Sequence, residues 1–220
     1  MSESTSAAPQ PSQSVPSRRR VASSLAWAVP TVVAAAAAPA EAASPLPRID
    51  RSFLVTRGTQ AAVPGASVSA CGSSSTRLSV TTDDVNTYYR IVNVQAGSTV
   101  TDVTASILVQ KSMVDAMETG KNPTTFTWTS SATPSWSTPV REVSGTGSPV
   151  LYTNNGIQYY RYVSKLSPPV PAPVSGTITL PRIGWYSNCS TTLAGVSVSG
   201  RGSAVVNGTP LVNVGTYRTV

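Results

Sequence analysis

The chain has 220 residues, with 16 Lys and Arg, 9 Asp and Glu and no histidine, so its formal net charge is +7. Without histidine, Ser-His-Asp and Cys-His catalysis are excluded and the commonest metal ligand is missing. Two cysteines alone cannot complete a zinc shell, and the sequence contains no Ser-x-x-Lys, glycine-rich phosphate loop or dinucleotide fingerprint. We therefore predict no cofactor, no metal and no enzyme activity.

The first 43 residues have the composition of an export segment. Residues 1–16 are mostly Ser, Pro, Gln and Ala, and they bury too little apolar surface to fold. A positive start at Arg18 and Arg19, an apolar middle over 21–38 and small residues at Ala40 and Ala42 follow. These are the three parts of a cleaved signal peptide. We predict a disordered N-terminus and a signal-peptide helix over 1–42, removed after Ala42 or Ala40.

The positive start indicates the route of export. Residues 17–21 (SRRRV) and the mildly apolar, alanine-rich run after them resemble the twin-arginine signals of secreted proteins from high-GC Gram-positive bacteria. The resemblance implies a secreted or cell-envelope protein and says nothing about activity. Val21 stands where that family usually has Phe, so a general-secretion signal is the alternative route. An uncleaved anchor is the alternative fate, since the 18 residues 21–38 can just span a bilayer.

Removal of the signal leaves 13 basic and 7 acidic residues, a net charge of +6. The bases are scattered singly from Arg48 to Arg218, and no basic cluster of the kind that binds nucleic acid occurs. We therefore predict no nucleic-acid partner, and no membrane contact once the signal has been removed.

Residues 43–220 are predicted to form one extended all-β domain. They are rich in Ser, Thr and Val and poor in Leu, Lys and Glu, which favours strands over helices. Turn-forming residues recur about every eight to twelve positions, the spacing of an antiparallel sandwich. The predicted strands are 51–56, 67–70, 77–81, 87–95, 99–110, 124–129, 137–143, 149–153, 157–164, 174–180, 193–198, 203–207 and 211–214. The one predicted helix, 112–119, ends at Gly120.

Two hairpins are predicted within this domain. Asn155-Gly156 is the signal for a type I′ turn between 151–152 and 157–159. Residues 96–98 (AGS) are predicted to join the strands 87–95 and 99–110 in a second hairpin. Alternation along 99–110 places Val100 and Asp102 on one face and Thr101 and Val103 on the other, which predicts an antiparallel strand with one wet face.

Residues 88–93 (YYRIVN), a short turn and 100–104 (VTDVT) resemble immunoglobulin-like repeats of bacterial surface proteins. The resemblance implies an immunoglobulin-like antiparallel β-sandwich with extra strands. The segment YYRIV at 88–92 returns as YYRYV at 159–163, either as a duplicated unit or as two unrelated strands. The proline-rich residues 167–173 are predicted to be a loop or edge crossing inside one sandwich.

The two cysteines, Cys71 and Cys189, are predicted to pair, as cysteines in exported chains usually do. The bridge closes 118 positions and spans both tyrosine segments, which favours one domain. A lipid-attachment site at 68–71 (VSAC) is the alternative, but no apolar run precedes it.

Aromatic side chains are the candidate binding residues. Paired tyrosines at Tyr88, Tyr89, Tyr159 and Tyr160 put one ring on each face of a strand, and exposed Tyr or Trp rings stack on sugars or meet proteins. We predict a secreted or cell-surface protein with a structural or binding role and no catalysis. The alternative is a carbohydrate- or protein-binding module, whose partner is a cell-wall glycan or a surface protein.

Acidic residues are the remaining candidates for chemistry. Asp83-Asp84 is predicted to be a solvated turn before Val85. On a strand, adjacent carboxylates would point to opposite sides and would cooperate poorly in acid–base work. The two alternatives are a calcium loop that ligates through oxygen and a carboxylate-based hydrolase site that includes Asp102.

Overall fold

The computed structural model describes residues 45–59, 68–130, 135–167, 170 and 176–220. Within them the chain forms short antiparallel strands and one helix, as the Ser-, Thr- and Val-rich composition predicts. The strands are β1 (Arg48–Ser52), β2 (Leu54–Gly58), β3 (Arg77–Thr81), β4 (Tyr88–Val94), β5 (Val100–Gln110), β6 (Trp128–Ser130), β7 (Val140–Arg141), β8 (Leu151–Asn154), β9 (Ile157–Lys165), β10 (Gly176–Thr179), β11 (Gly184–Ser187), β12 (Ser197–Val206), β13 (Thr209–Val214) and β14 (Arg218–Thr219). The helix α1 is Lys111–Thr119.

The strands form three sheets in a sandwich-like arrangement. A seven-stranded sheet has the order β13-β12-β5-β9-β7, with β14 paired to β12 and β8 paired to β9. A three-stranded sheet (β1-β4-β10) and a four-stranded sheet (β2-β3-β11-β6) form the opposite layer. β1 runs into β2 past Phe53, so the two smaller sheets share a chain segment. The all-β, antiparallel prediction is confirmed.

The hydrophobic core lies between the layers, and Tyr89 of β4 is at its centre. The ring of Tyr89 stacks on Trp136 with centroids 5.8 Å apart and meets the edge of Phe53 at 5.6 Å. Its hydroxyl donates to the carbonyl oxygens of Thr104 (2.7 Å) and Ser203 (3.0 Å), both in the seven-stranded sheet. The same side chain therefore packs and hydrogen-bonds the two layers together.

β12 is a single strand that contains two glycines, Gly200 and Gly202. The sequence predicted separate strands at 193–198 and 203–207, which is wrong: Ser197–Val206 is continuous. A Cβ atom on Gly200 would lie 2.7 Å from the Phe53 ring, and one on Gly202 would lie 2.8 Å from the Tyr89 ring. The glycines that suggested a break are the places where aromatic rings of the other layer approach the backbone.

The predicted hairpin at residues 96–98 is also wrong. β4 pairs with β1 and β10, whereas β5 pairs with β12 and β9, so the turn carries the chain from one layer to the other. Gly97 has a φ of +76°, and the Ser98 amide donates to the Gln95 carbonyl. Both strands bury apolar side chains in the same core, β4 from one layer and β5 from the other.

The prediction of one wet face on β5 fails at a bulge. Asp102 has a φ of +50°, and the register with β12 shifts between Ser203 and Val205. The bulge puts Val100 and Val103 both in the core, although alternation assigned them to opposite faces. Beyond the bulge, residues 105–109 are buried on both faces, and on the outer face the side chain of Arg161 covers Ser106.

Other local predictions are confirmed or corrected by the same structure. The Asn155-Gly156 turn has positive φ at both residues, 47° and 77°, and Asn154 pairs with Ile157 across it, as a type I′ hairpin requires. The helix begins one residue before its predicted start and ends at Thr119, as predicted. Residues 68–70 are not a strand, the predicted strand 124–129 is reduced to β6, and β11 was not predicted at all.

Candidate functional site

The residues of the predicted export signal, Arg18, Arg19, Ala40 and Ala42, lie outside the described residues. In the part of the chain that the structure describes, no helix is both long enough and apolar enough to cross a membrane. Export and cleavage therefore stay predictions from the sequence.

Cys71 and Cys189 form a disulfide, as predicted, with their Cα atoms 5.6 Å apart. The bridge lies at the end of the four-stranded sheet, where Thr76 pairs with Ser190 as an extension of the β3–β11 ladder. The buried Arg77 donates from Nε to the sulfur of Cys71 (3.3 Å) and from Nη2 to the sulfur of Cys189 (3.0 Å). Burial lowers the pKa of Arg77. The bond is characteristic of an oxidising compartment.

The predicted binding tyrosines are mostly unavailable to a ligand. Tyr89, Tyr159 and Tyr160 are buried, and Tyr88 alone is partly exposed. The Tyr160 hydroxyl donates to the Asp115 carboxylate of α1 at 2.9 Å, which holds the ring against the helix. Three of the four rings are therefore covered by neighbouring side chains and cannot act as exposed stacking surfaces.

The three tryptophans in the described residues, Trp128, Trp136 and Trp185, are also buried. Trp136 stacks on Tyr89, and Trp128 meets the ring of Tyr162 across the layers at 6.1 Å. These rings belong to the core, so a sugar-stacking platform built from them is excluded.

The structure reveals a different group of aromatic and basic side chains on the outer face of the seven-stranded sheet, which points away from the two smaller sheets. We name it the Tyr–Arg cluster. Its members are Tyr152, Tyr159, Arg161, Arg201 and Tyr217.

Strand register brings the cluster together. Tyr152 lies opposite Tyr159 in the β8–β9 hairpin, and Arg161 follows two residues later on the same face. Arg161 pairs with Leu108 of β5, which in turn pairs with Ser199 of β12, two residues before Arg201. Four side chains from three strands are thus placed side by side by the period-two alternation of the sheet.

Contacts among the cluster's side chains fix their positions. The Arg201 guanidinium lies 5.0 Å from the centroid of the Tyr152 ring, and that of Arg161 lies 5.8 Å from it. The Tyr217 ring covers Tyr159 with centroids 4.6 Å apart, and its hydroxyl accepts a hydrogen bond from Arg201 at 2.8 Å. Two cations that contact one aromatic ring create a positively charged surface.

One carboxylate, that of Glu142, borders the cluster. It lies 3.5 Å from Arg161 and accepts a hydrogen bond from the Tyr152 hydroxyl at 2.7 Å. Arg201 has no carboxylate partner among the described residues, since its side-chain contacts there are the Tyr152 ring and the Tyr217 hydroxyl. The face therefore keeps an excess of positive charge.

Exposed valines surround the cluster on the same face. Val212 and Val214 of β13 pair with Ser203 and Arg201 and are 65% and 57% exposed. Val140 of β7 pairs with Val163 at the opposite edge and is 65% exposed. A charged aromatic centre with apolar side chains around it is a surface composition typical of binding interfaces.

The acidic candidate residues Asp83 and Asp84 make structural hydrogen bonds within the protein. Asp83 Oδ1 accepts hydrogen bonds from the amides of Thr87 (2.8 Å), Val85 and Asn86 (2.9 Å each), which lower the pKa of the carboxyl to about 2. Asp84 accepts a hydrogen bond from Arg182 at 2.6 Å. Within the described ranges, no three acidic or cysteine side chains come together as a metal site needs. Asp102 lies at the bulge of β5, in the seven-stranded sheet. Asp83 and Asp84 lie in the turn between β3 and β4, which belong to the two smaller sheets.

Three of the five residues of the cluster were recognisable in the sequence. Tyr152 is placed opposite Tyr159 by the predicted Asn-Gly hairpin, and alternation adds Arg161. Arg201 was not recognisable, because the sequence predicted two separate strands, 193–198 and 203–207, with residue 201 between them. Tyr217 comes from the segment after β13, for which the sequence contains no pattern that predicts its partner.

Comparisons of the chain with protein-family models, curated proteins and solved structures gave no match. The candidate site is therefore defined by its geometry alone.

Proposed function

We propose that the chain is an exported, immunoglobulin-like β-sandwich that acts outside the cytoplasmic membrane by binding and without catalysis. The signal-like residues 17–43 support export. The Cys71–Cys189 bond supports it further, because disulfides persist in oxidising compartments and are rare in the cytosol.

The immunoglobulin-like class is supported by the connection between β4 and β5. It carries the chain from one layer to the other, as connections in Greek-key sandwiches do. The disulfide differs from that of antibody domains, since it lies at the end of one sheet, whereas theirs joins the two sheets. The proposal is therefore the broad sandwich architecture and does not include the antibody-type core.

The single observation that supports a binding role is the Tyr–Arg cluster. Arg and Tyr are enriched at interfaces and dominate the residues whose loss weakens binding most. In this chain they are held by mutual contacts before any partner arrives, which lowers the entropy cost of binding.

The occupant that fits this face is an anionic glycan of the cell wall. Arg161, Arg201 and the exposed Lys165 outnumber the single carboxylate of Glu142, so the face attracts negative charge. The partly exposed rings of Tyr152 and Tyr217 supply the flat apolar surfaces on which sugars stack. A protein of the cell surface is the alternative occupant.

Export is tested by replacing Arg18 and Arg19 with Lys in the producing cell. The twin-arginine route predicts that the variant accumulates inside the cell, while the unaltered chain is secreted with an N-terminus at Ala43 or Glu41. If the variant is secreted normally, the route is wrong and the location stands. If neither form leaves the cell, the proposal of an exported protein is wrong.

Binding is tested by co-sedimentation of the purified protein with isolated cell walls. Arg201→Gln and Arg161→Gln are expected to reduce the bound fraction at least about tenfold, in line with hot-spot losses. Arg182→Gln is the matched control, because it removes the same charge from an exposed arginine that pairs with Asp84. Equal losses in all three variants indicate non-specific charge binding and contradict the proposal. The same assay with cell walls from which protein has been removed distinguishes the two targets: binding is retained if the target is a glycan and is lost if it is a protein.

A further inference from the structure

A second charged site lies at the end of the sandwich, on residues that the Tyr–Arg cluster does not use. There a cavity of about 370 Å³ opens between β1, Phe53 and Val55 of one layer and the β12–β13 edge of the other. The polar residues that line it include Arg51, Ser52, Ser199, Thr216 and Arg218. A cavity of this volume is within the range of small-molecule sites.

Arg51 is the central residue of this cavity. It lies on β1 between Ile49 and Phe53, so alternation points it towards the space between the layers. Its Nε donates to the Asn213 carbonyl at 3.4 Å. Within the described residues, its two Nη atoms have no protein acceptor, which leaves the outer fork of the guanidinium free.

The charge around Arg51 is not balanced. Among the described residues, no carboxylate lines the cavity, and Arg218 lines it together with Arg51. Arg201 lies outside the cavity, on the outer face of the sheet, but near enough to act on Arg51 electrostatically. Burial is the main cause that lowers the pKa of Arg51 to about 10; Tyr89 opposes the shift, and Arg201 and Arg218 add to it. A half-buried guanidinium that shares a cavity with another guanidinium and with no acid is unusual, because buried charges are normally paired.

Two glycines fix the guanidinium in place. A Cβ atom on Gly215 would lie 1.8 Å from Nη2 of Arg51, and one on Gly200 would lie 3.2 Å from Nη1. The Gly215 amide also donates to the Gly200 carbonyl at 3.1 Å, which holds the two glycines together in the wall that faces β1. The fork of Arg51 is thus held in one orientation before any ligand binds.

Arg218 completes the site from the other wall. Its Nη2 donates to the carbonyl oxygens of Phe53 (3.3 Å) and Val55 (3.0 Å). These bonds anchor the side chain at the rim and leave the other guanidinium donors for a ligand. Two arginines therefore converge on one cavity from opposite layers of the sandwich.

We propose that this cavity binds a phosphate group, free or as a unit of a polyol-phosphate polymer. Two guanidinium groups match the charge and the several acceptor oxygens of a phosphate, and arginine forks bind phosphate in a bidentate manner. A single carboxylate would leave one arginine unpaired. The volume beyond one phosphate leaves room for the polyol to which it is attached.

The test follows the backbone amides of the purified protein by ¹⁵N NMR while sodium phosphate replaces sodium chloride at constant ionic strength. The site predicts saturable shifts at Gly200, Gly215 and Thr216, which sulfate reproduces more weakly and acetate does not. Shifts spread over exposed arginines such as Arg48, or no saturation up to about 20 mM phosphate, contradict the proposal.

Three variants make the test specific. Arg218→Gln is expected to weaken phosphate binding at least tenfold, and Arg51→Lys to weaken it similarly, because lysine keeps the charge and loses the fork. Arg48→Gln is the matched control, since it removes an exposed arginine from the same strand. Equal weakening by all three contradicts the proposal. Thermal unfolding of each variant shows whether it has kept its fold.

The source of the phosphate is distinguished by comparing inorganic phosphate with a poly(glycerol phosphate) of defined length. Tighter binding per phosphate to the polymer assigns the site to a polymer, and equal binding assigns it to the free ion. The site is independent of the outer face: Arg161→Gln is expected to weaken wall binding and leave the phosphate shifts intact. Either proposal can therefore fail without the other.

Discussion

Tyr89 and Gly202 face each other across the core so closely that a Cβ atom on the glycine would lie 2.8 Å from the tyrosine ring. The contact joins the central strand of the three-stranded sheet to β12 of the seven-stranded sheet. It shows why β12 carries glycine where β-branched residues are otherwise preferred: the inner face of the strand has no room for a side chain.

Gly202→Ala is expected to lower the free energy of unfolding by about 1–3 kcal/mol, the usual cost of overpacking a core. The measurement is urea unfolding followed by fluorescence. Gly145→Ala is the control, because a Cβ atom there has no neighbour within 4 Å and the backbone is not left-handed. The control is expected to change stability by less than about 0.5 kcal/mol. Equal effects of the two substitutions would contradict the close approach.

Tyr88 and Tyr89 are adjacent in sequence and differ completely in environment. Tyr89→Phe removes a hydroxyl that donates to two buried carbonyls and is expected to cost about 1–3 kcal/mol of unfolding free energy. Tyr88→Phe, at a partly exposed ring under the Arg90 guanidinium, is expected to cost less than about 0.5 kcal/mol. Burial also raises the pKa of Tyr89, so its phenol is expected to stay neutral in an alkaline titration by ultraviolet absorbance.

The Cys71–Cys189 bond closes a loop of 118 positions. In the chain-entropy model, its loss is expected to cost up to about 4–5 kcal/mol. Each single Ser substitution is expected to destabilise about as much as the double substitution, because each breaks the same bond. Mass spectrometry under denaturing conditions is expected to find no free thiol in the unaltered protein. Two free thiols, or additive effects of the single substitutions, would show that the cysteines are not paired.

The sequence predicted the features of the fold that depend on neighbouring residues. The Asn155-Gly156 turn, the helix and the strand at 77–81 follow from local conformational preference and were predicted correctly. The disulfide also followed, from a general rule about exported chains.

Features that depend on the opposite layer were not predictable in this way. The glycines of β12 looked like a strand break because the Phe53 and Tyr89 rings that need them come from distant segments. The turn at 96–98 looked like a hairpin because a layer crossing has the same local composition. The burial of Tyr159 and Tyr160 could not be predicted for the same reason. Their rings are covered by Tyr217 and by α1, and no pattern around residue 159 predicts these contacts.

The last prediction concerns acid stability and the turn before β4. Three backbone amides hold the pKa of Asp83 at about 2, below its ordinary value of 3.8. Because the folded pKa is depressed, the contribution of Asp83 to stability is fully present above about pH 4 and is lost as the pH falls towards 2. Carbon-detected NMR of the carboxyl group is expected to give a midpoint near 2.

A midpoint near 4 would show that the amides do not bind the carboxylate. Thr87→Val separates the amide effect from that of the Thr87 hydroxyl, which also lowers the pKa. This variant is expected to keep a depressed midpoint, because the three amide donors remain. Asp83→Asn removes the titrating group, so its unfolding free energy is expected to fall less than that of the unaltered protein between pH 4 and pH 2. Parallel losses in the two proteins would place the acid sensitivity elsewhere in the chain.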